Sequence, residues 1–207
     1  MTSTNTDNFV SILTQAAIAY REKNHPLPAT ETIVNALLAA ETTAKQQRLN
    51  YEFDSLVGTW RLCFATGTKK ARERGGIILG KGWYVPKLAK IQISFSADSK
   101  IDSNRGEIGN QVQLGSILLQ LTGPAKYLGK KNILAFDFTQ MFLQLFGRTI
   151  YQQKIRSGKH QAEDFYNQPI AKQAFFAFFL VNADLIAARG RGGGLALWVR
   201  ENKLLSI

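Results

Sequence analysis

The 207-residue sequence holds one cysteine, Cys63, and two histidines, His25 and His160. A single thiol forms no internal disulfide, so the fold rests on its core, and a reducing compartment is mildly favoured. With no second cysteine and no histidine pair at ligand spacing, a transition-metal site has no support, and no metal or cofactor is expected. Carboxylates are few, and Asp137 alone lies inside a strongly apolar stretch, on the face opposite Phe136 and Phe138, where solvent is the default. A nucleophile elbow of the Gly-x-Ser-x-Gly kind is absent, so no acyl-transfer site announces itself. Long hydrophobic runs are missing too. Residues 133–146 are broken by Asp137, and 174–188 by Asn182 and Asp184, whereas a spanning helix needs about 20 clean residues. The start, residues 1–7, shows neither a basic segment leading into an apolar one nor an Arg-rich transit pattern. The expected location is cytoplasmic or peripheral at a membrane.

Hydrophobic residues at 45% and charged residues at 20% describe a globular chain. A chain of this length hides roughly 70% of its unfolded surface, enough for a sizeable core. Phe is frequent at 13 copies, and Phe suits strands. Lys+Arg 26 against Asp+Glu 15 gives a net charge of +11, unevenly spread. Residues 1–55 carry a net −2, residues 56–207 carry +13, and 56–90 hold eight basic side chains against Glu73 alone. Such a surplus favours an anionic partner, a membrane surface or a nucleic acid, unless it is only a solvated face.

The hydrophobic period divides the chain in two. Residues 8–23 place Phe9, Ile12, Leu13, Ala16, Ala17 and Tyr20 at helical spacing. Pro26 and Pro28 end that run. A second helix is predicted over 30–49 through Ile33, Val34, Leu37, Leu38 and Ala44. Residues 1–53 therefore read as a helical hairpin that must bury its stripe against the rest. From 54 to 207 the period is two. Ile91, Ile93 and Phe95 share one face, as do Leu134, Phe136 and Phe138. Further strands are predicted at 58–66, 106–114, 116–121, 149–155, 175–181 and 194–200. Turn residues separate them at 96–99, 122–124, 129–132 and 190–194. Eight or nine short strands fit a sandwich or an up-and-down barrel, and the fold class is mainly β: an antiparallel barrel of about eight strands behind a helical hairpin. A barrel that size holds one small apolar ligand. Residues 161–174 fit a short helix or a long loop.

Three motifs invite chemistry and have plainer readings. The run from Gly75 to Gly82 approaches a phosphate loop, but Gly82 follows Lys81 where Ser or Thr is required, and 83–86 cannot open a helix. Arg189-Gly-Arg-Gly-Gly-Gly194 resembles an RNA-binding box, yet its apolar flanks make it a hairpin turn. Cys63, between Leu62 and Phe64, is a small buried hydrophobe. More specific is Leu56-Val-Gly58-Thr-Trp60, a Gly-x-Trp opening the first strand. As in lipocalins, its Trp is expected to close the narrow end beneath Arg200 of the last strand, by cation–π stacking.

Residues 56–66 together with Asp184-Leu-Ile-Ala-Ala-Arg189-Gly-Arg-Gly-Gly-Gly-Leu-Ala-Leu-Trp-Val-Arg200 resemble the plastid lipid-associated (fibrillin) family, which is similar to lipocalins. Ile186, Phe64 and Ala65 depart from that pattern. The resemblance implies a non-catalytic protein that binds or shields a lipid, carotenoid or quinone at thylakoids or lipid globules, and the start of the chain suggests a cyanobacterial member. The alternation adds the lining expected for such a pocket: Ile91, Ile93, Phe95, Val112, Leu114, Leu134, Phe136 and Phe138, with Gly58, Trp60 and Arg200 closing the barrel. Lys69, Lys70, Arg72, Arg74, Lys81 and Lys87 form the expected basic rim against an anionic membrane or lipid globule. Two other readings stand beside it. A lipocalin-fold lyase or isomerase acting on a bilin or isoprenoid needs a polar group such as Asp137 or Tyr151 inside the cavity. A nucleic-acid module would use the basic region with Trp83 and Tyr84, although no sequence-specific nucleic-acid partner is expected.

Overall fold

The computed structural model describes residues 3–22, 25–70, 77–98, 103–155 and 162–201. Helix α1 (Ser3–Arg21) and helix α2 (Thr30–Gln47) form where the apolar spacing places them. Leu13, Ala16, Ala17 and Tyr20 on the first and Ile33, Leu37, Ala40 and Ala44 on the second are buried. Arg48 ends α2 in a left-handed conformation, φ 52°. A single turn of helix, α3 (Phe53–Leu56), leads into strand β1 (Gly58–Ala65). A small ribbon, β2 (Thr68–Lys70) with β3 (Ile77–Leu79), and the two-residue β4 (Trp83–Tyr84) follow. Next come β5 (Ala89–Ala97), β6 (Arg105–Leu114), β7 (Ile117–Leu128), β8 (Ile133–Phe136), β9 (Gln140–Leu145) and β10 (Arg148–Lys154). Helix α4 (Ala162–Asn167) precedes the last three strands, β11 (Ala174–Val181), β12 (Leu185–Gly190) and β13 (Leu195–Arg200).

Eight of these strands close a ring. Their order is β1, β5, β6, β7, β8, β11, β12, β13, and β13 pairs back onto β1 through Trp60 opposite Arg200 and Arg61 opposite Val199. Every pairing is antiparallel, and each strand's neighbour is the next ring strand in the chain, so closure removes the free edges. The expected barrel of about eight strands behind a helical segment is the fold observed.

Two features were not anticipated. Residues 122–124 read as a turn, but β7 runs straight through them. Its amide-poor step lies at a fork: Leu128–Ala125 pairs with β8, while Ile117–Thr122 pairs with β9. Pro124 has no N–H to give, and at Gly123 a side chain would meet the Asp137 carbonyl oxygen at 2.0 Å. Glycine and proline here permit a split strand. Beyond the fork, β9 and β10 leave the ring and extend β6 and β7 into an open sheet. Strand β12 enters the sequence reading only as an apolar flank of the Arg-Gly turn, without bounds, because both its faces are covered. Ile186 and Ala188 face the barrel interior, whereas Leu185 and Ala187 meet the helices, so no alternation marks it.

The helical hairpin packs on the outside of the barrel, over Cys63, Phe64, Phe179, Leu185, Leu195, Leu197 and Val199. Burial pushes the Cys63 thiol up to about 12, leaving it a neutral core group. A fork of two hydrogen bonds fastens α2 to β12: Arg189 Nε donates to Glu41 Oε1 at 2.9 Å and Nη2 to Oε2. Lys45 adds a bond to Oε1 at 3.0 Å. The guanidinium and the ammonium hold the Glu41 carboxyl below its usual range. The stabilisation from this pair is therefore complete above the unfolded-state pKa, about 4.3, and is lost as pH falls through the lower folded value. At the other flank Lys126 donates to the Tyr166 and Gln168 carbonyls at 2.8 and 2.9 Å, capping the C-terminal end of α4.

Candidate functional site

The narrow end of the barrel is closed as the Gly-x-Trp motif suggests. Trp60 is fully buried, and its Nε1 donates to the Leu56 carbonyl at 2.7 Å. The Arg200 guanidinium lies 3.9 Å over the Trp60 ring. Its nitrogens donate to the carbonyls of Val57 at 3.1 Å, Ser55 at 3.3 Å and Ala183 at 2.5 Å. Gly58 is required beside it: φ is +128°, and a side chain there would meet Arg200 Nη1 at 2.7 Å.

A second lock holds the segment that crosses this end. Asn132, left-handed at φ 51°, donates from Nδ2 to the Leu49 carbonyl at 2.7 Å. Its Oδ1 accepts from the Tyr51 amide at 3.0 Å and from the Tyr127 hydroxyl at 3.4 Å. The same hydroxyl donates to the Tyr51 carbonyl at 2.9 Å, and Phe53 stacks on the Tyr127 ring with centroids 5.5 Å apart.

Above that seal the interior is filled by the protein's own rings. Phe176 lies 5.0 Å from Phe136, 5.5 Å from Trp198 and 6.3 Å from Phe178, and Phe95 meets Phe178 at 6.0 Å. The eight residues expected to line one pocket therefore divide. Ile93, Phe95, Leu134 and Phe136 are buried members of this packed cluster, and Phe138 lies partly buried against it. Ile91 packs, partly buried, against the cluster shared with the helices, whereas Val112 and Leu114 lie exposed on β6.

One side of the open sheet carries two unbroken apolar rows. Register puts Ala89, Leu114, Ile117 and Leu145 in one row across four strands, and Ile91, Val112, Leu119, Leu143 and Tyr151 in the next. A third row runs Ile93, Asn110, Leu121, Met141 and Gln153. Paired residues share a face, and Ile93 and Ile108 belong to the barrel interior, so these rows continue that interior outward. The reverse side is mixed: one row runs Gln92, Gln111, Gln120, Phe142 and Gln152, and the next Lys90, Gln113, Leu118, Gln144 and Thr149. Leu114 remains 59% exposed, Ile117 48% and Val112 37%.

The rim of this face is formed by three turns at one end of the sheet. The β6–β7 and β9–β10 hairpins lie side by side, with the Phe146 amide donating to the Ser116 carbonyl at 3.0 Å. The third turn, before β5, brings Leu88 next to Ala89, the partner of Leu114. Phe146 is 78% exposed and Leu88 85%. Over residues 109–123 and 140–153 the one charged side chain is Arg148. Of the basic residues expected at a rim, Lys87 is in this turn, where its Nζ reaches the Glu22 carbonyl at 3.5 Å. Lys81 is exposed between β3 and β4, Lys69 and Lys70 lie on β2, and Arg72 and Arg74 fall outside the described residues.

The remaining motifs resolve into structure. Lys81 is followed by a short strand and not a helix, which removes the geometry of a phosphate loop. The Arg-Gly run is the β12–β13 turn: Gly190 and Gly194 pair, and Arg191 donates to the Ala171 and Gln173 carbonyls at 2.7 and 3.0 Å. Tyr151 stands on the apolar face with its hydroxyl donating to Gln153 Oε1 at 2.6 Å, while Asp137 sits at the fork. Among the described residues, no three His, Cys, Asp or Glu side chains gather into a metal-sized group. None of their helices is long and apolar enough to cross a membrane. Sequence reasoning missed Asn110 and Asn132. The signal for the first was a lone amide on the inward side of β6, between Ile108 and Val112. No protein-family model matches the chain, and no curated protein matches it either.

Proposed function

We propose that this protein binds one elongated hydrophobic molecule on the apolar face of the open sheet, and does so at a lipid surface that its three turns touch. The observation that carries the reading is the pair of unbroken apolar rows on one face of the open sheet. These rows run out of a packed barrel core and stay half-exposed, while on the other side Leu118 and Phe142 are interspersed with glutamines. Covering a half-exposed Val, Leu or Ile is worth roughly 1 kcal/mol, so four of them beneath a ligand supply a useful part of micromolar affinity. Because the barrel interior proper is packed, the ligand rests on the open face above it and not in a central hollow. Leu88, Leu114, Ile117 and Phe146, with Lys87 and Arg148 beside them, suit the boundary between acyl chains and anionic headgroups. A lipid, carotenoid or quinone, the cargo implied by the resemblance noted above, has the right shape and polarity.

An apolar fluorophore, diphenylhexatriene, should bind the intact chain and brighten. Val112→Asp should weaken that binding at least tenfold without changing the circular dichroism spectrum, since a carboxylate must then be covered by the ligand. No fluorescence gain with the wild-type chain ends the reading. For the surface, flotation with vesicles containing an anionic lipid should carry the protein upward, and Phe146→Asp should cut the floated fraction about tenfold or more by removing a buried ring and adding a repelled charge. Equal flotation of both proteins removes the turns from the contact.

A further inference from the structure

The inward side of β6 reads Ile108, Asn110, Val112, Leu114, and one position in that series does not fit. Asn110 pairs with Ile93 on one side and Leu121 on the other. Asparagine is a poor strand former, and its neighbours on this face are aliphatic. Its Oδ1 is buried with no hydrogen-bond partner among the described residues. An amide oxygen left in that state destabilises the fold, whereas Leu or Val would continue the pattern at no such cost. Sequences depart from a local rule in this way chiefly where function requires it.

Its position supports that explanation. Asn110 lies one row inward of Val112 and Leu119, where the open face meets the packed rings. A molecule lying across the rows, parallel to the strands, therefore has its inner end at this amide. We infer that Asn110 is the polar anchor of the face and accepts a hydrogen bond from a hydroxyl at the end of the bound molecule. This deepens the reading of the face as a hydrophobic site and rests on it. The ligand class narrows accordingly to a long apolar alcohol or phenol. A pure hydrocarbon offers the oxygen nothing, and an ionised carboxylate has no proton to give it. A few placed polar groups in an apolar site fix ligand orientation in this manner.

Displacement of diphenylhexatriene separates the two claims. Dodecanol and dodecyl methyl ether have similar chains, but only the alcohol carries a donor. The wild-type chain should prefer the alcohol about fivefold to tenfold, the factor expected for one hydrogen bond made in place of an orphan. Asn110→Leu should lose the preference for the alcohol and melt at a higher temperature. Asn110→Ala serves the same purpose should Leu overfill the site. A preference retained in both variants, or no preference in the wild type, would each overturn the anchor while leaving the hydrophobic site standing. Failure of the fluorophore to bind the wild type would instead remove the site itself, and the anchor with it.

Discussion

Replacing Arg200 with Ala should destabilise the protein by about 3 kcal/mol, which for a chain of this size lowers the melting temperature by roughly 6–12 °C. Two effects add. The cation–π contact with a fully buried Trp60 is worth about 1–2 kcal/mol where water is excluded. The carbonyls of Ser55, Val57 and Ala183 also lose a charged donor, and each is set in a turn or chain crossing at the sealed end. Arg200→Lys should recover little of this, because one ammonium cannot reach three carbonyls and lie flat on an indole. Thermal unfolding followed by tryptophan fluorescence measures the change. A shift below about 2 °C would mean that the seal is held by burial of Trp60 alone.

Asn132→Ala is expected to cost as much, about 3 kcal/mol, for a different reason. Alanine dislikes the left-handed backbone by roughly 1 kcal/mol. The Leu49 carbonyl and the Tyr51 amide lose their partner as well, and each such loss costs about 1 kcal/mol or more. Asn132→Gly divides the two causes: it relieves the backbone but makes neither bond, so it should fall between wild type and Ala. Urea midpoints at constant slope read this directly. If Gly matches the wild type, the side-chain bonds contribute nothing and the position is a matter of φ alone.

The legibility of the fold from the sequence varied with how each element is buried. Helices α1 and α2 and strands β5 and β6 meet solvent on one side, so a 3.6-residue or a two-residue rhythm survives in them. Strand β12 is enclosed between core and helix, and its run of Leu, Ile and Ala carries no rhythm to read. The fork defeated a local reading for another reason. Gly123-Pro124 has turn chemistry, but whether such a pair ends a strand or splits it is decided by Asp137 and Thr139 of the returning chain. The closure by Gly58, Trp60 and Arg200 was accessible through the likeness of the Gly-x-Trp opening to that of lipocalins, in which an Arg of the last strand covers the Trp. The pocket was legible only as a set of inward-facing aliphatics. Which of them lie under packed rings and which lie open depends on β9 and β10 leaving the ring, a matter of long-range pairing.

The pairing of the first ring strand with the last has a consequence for how the protein is made. Strand β1 is synthesised before every other strand of the ring, yet its final partner is β13, the last of them. Until then both β1 and the growing sheet present unpaired edges, and the outer faces of β12 and β13 that α1 and α2 cover do not exist. Closure of the ring is therefore a late, single event with high contact order, slow relative to synthesis. Arg200, which locks the seal, lies on that last ring strand, so this fastening is made only once every strand of the ring has been synthesised.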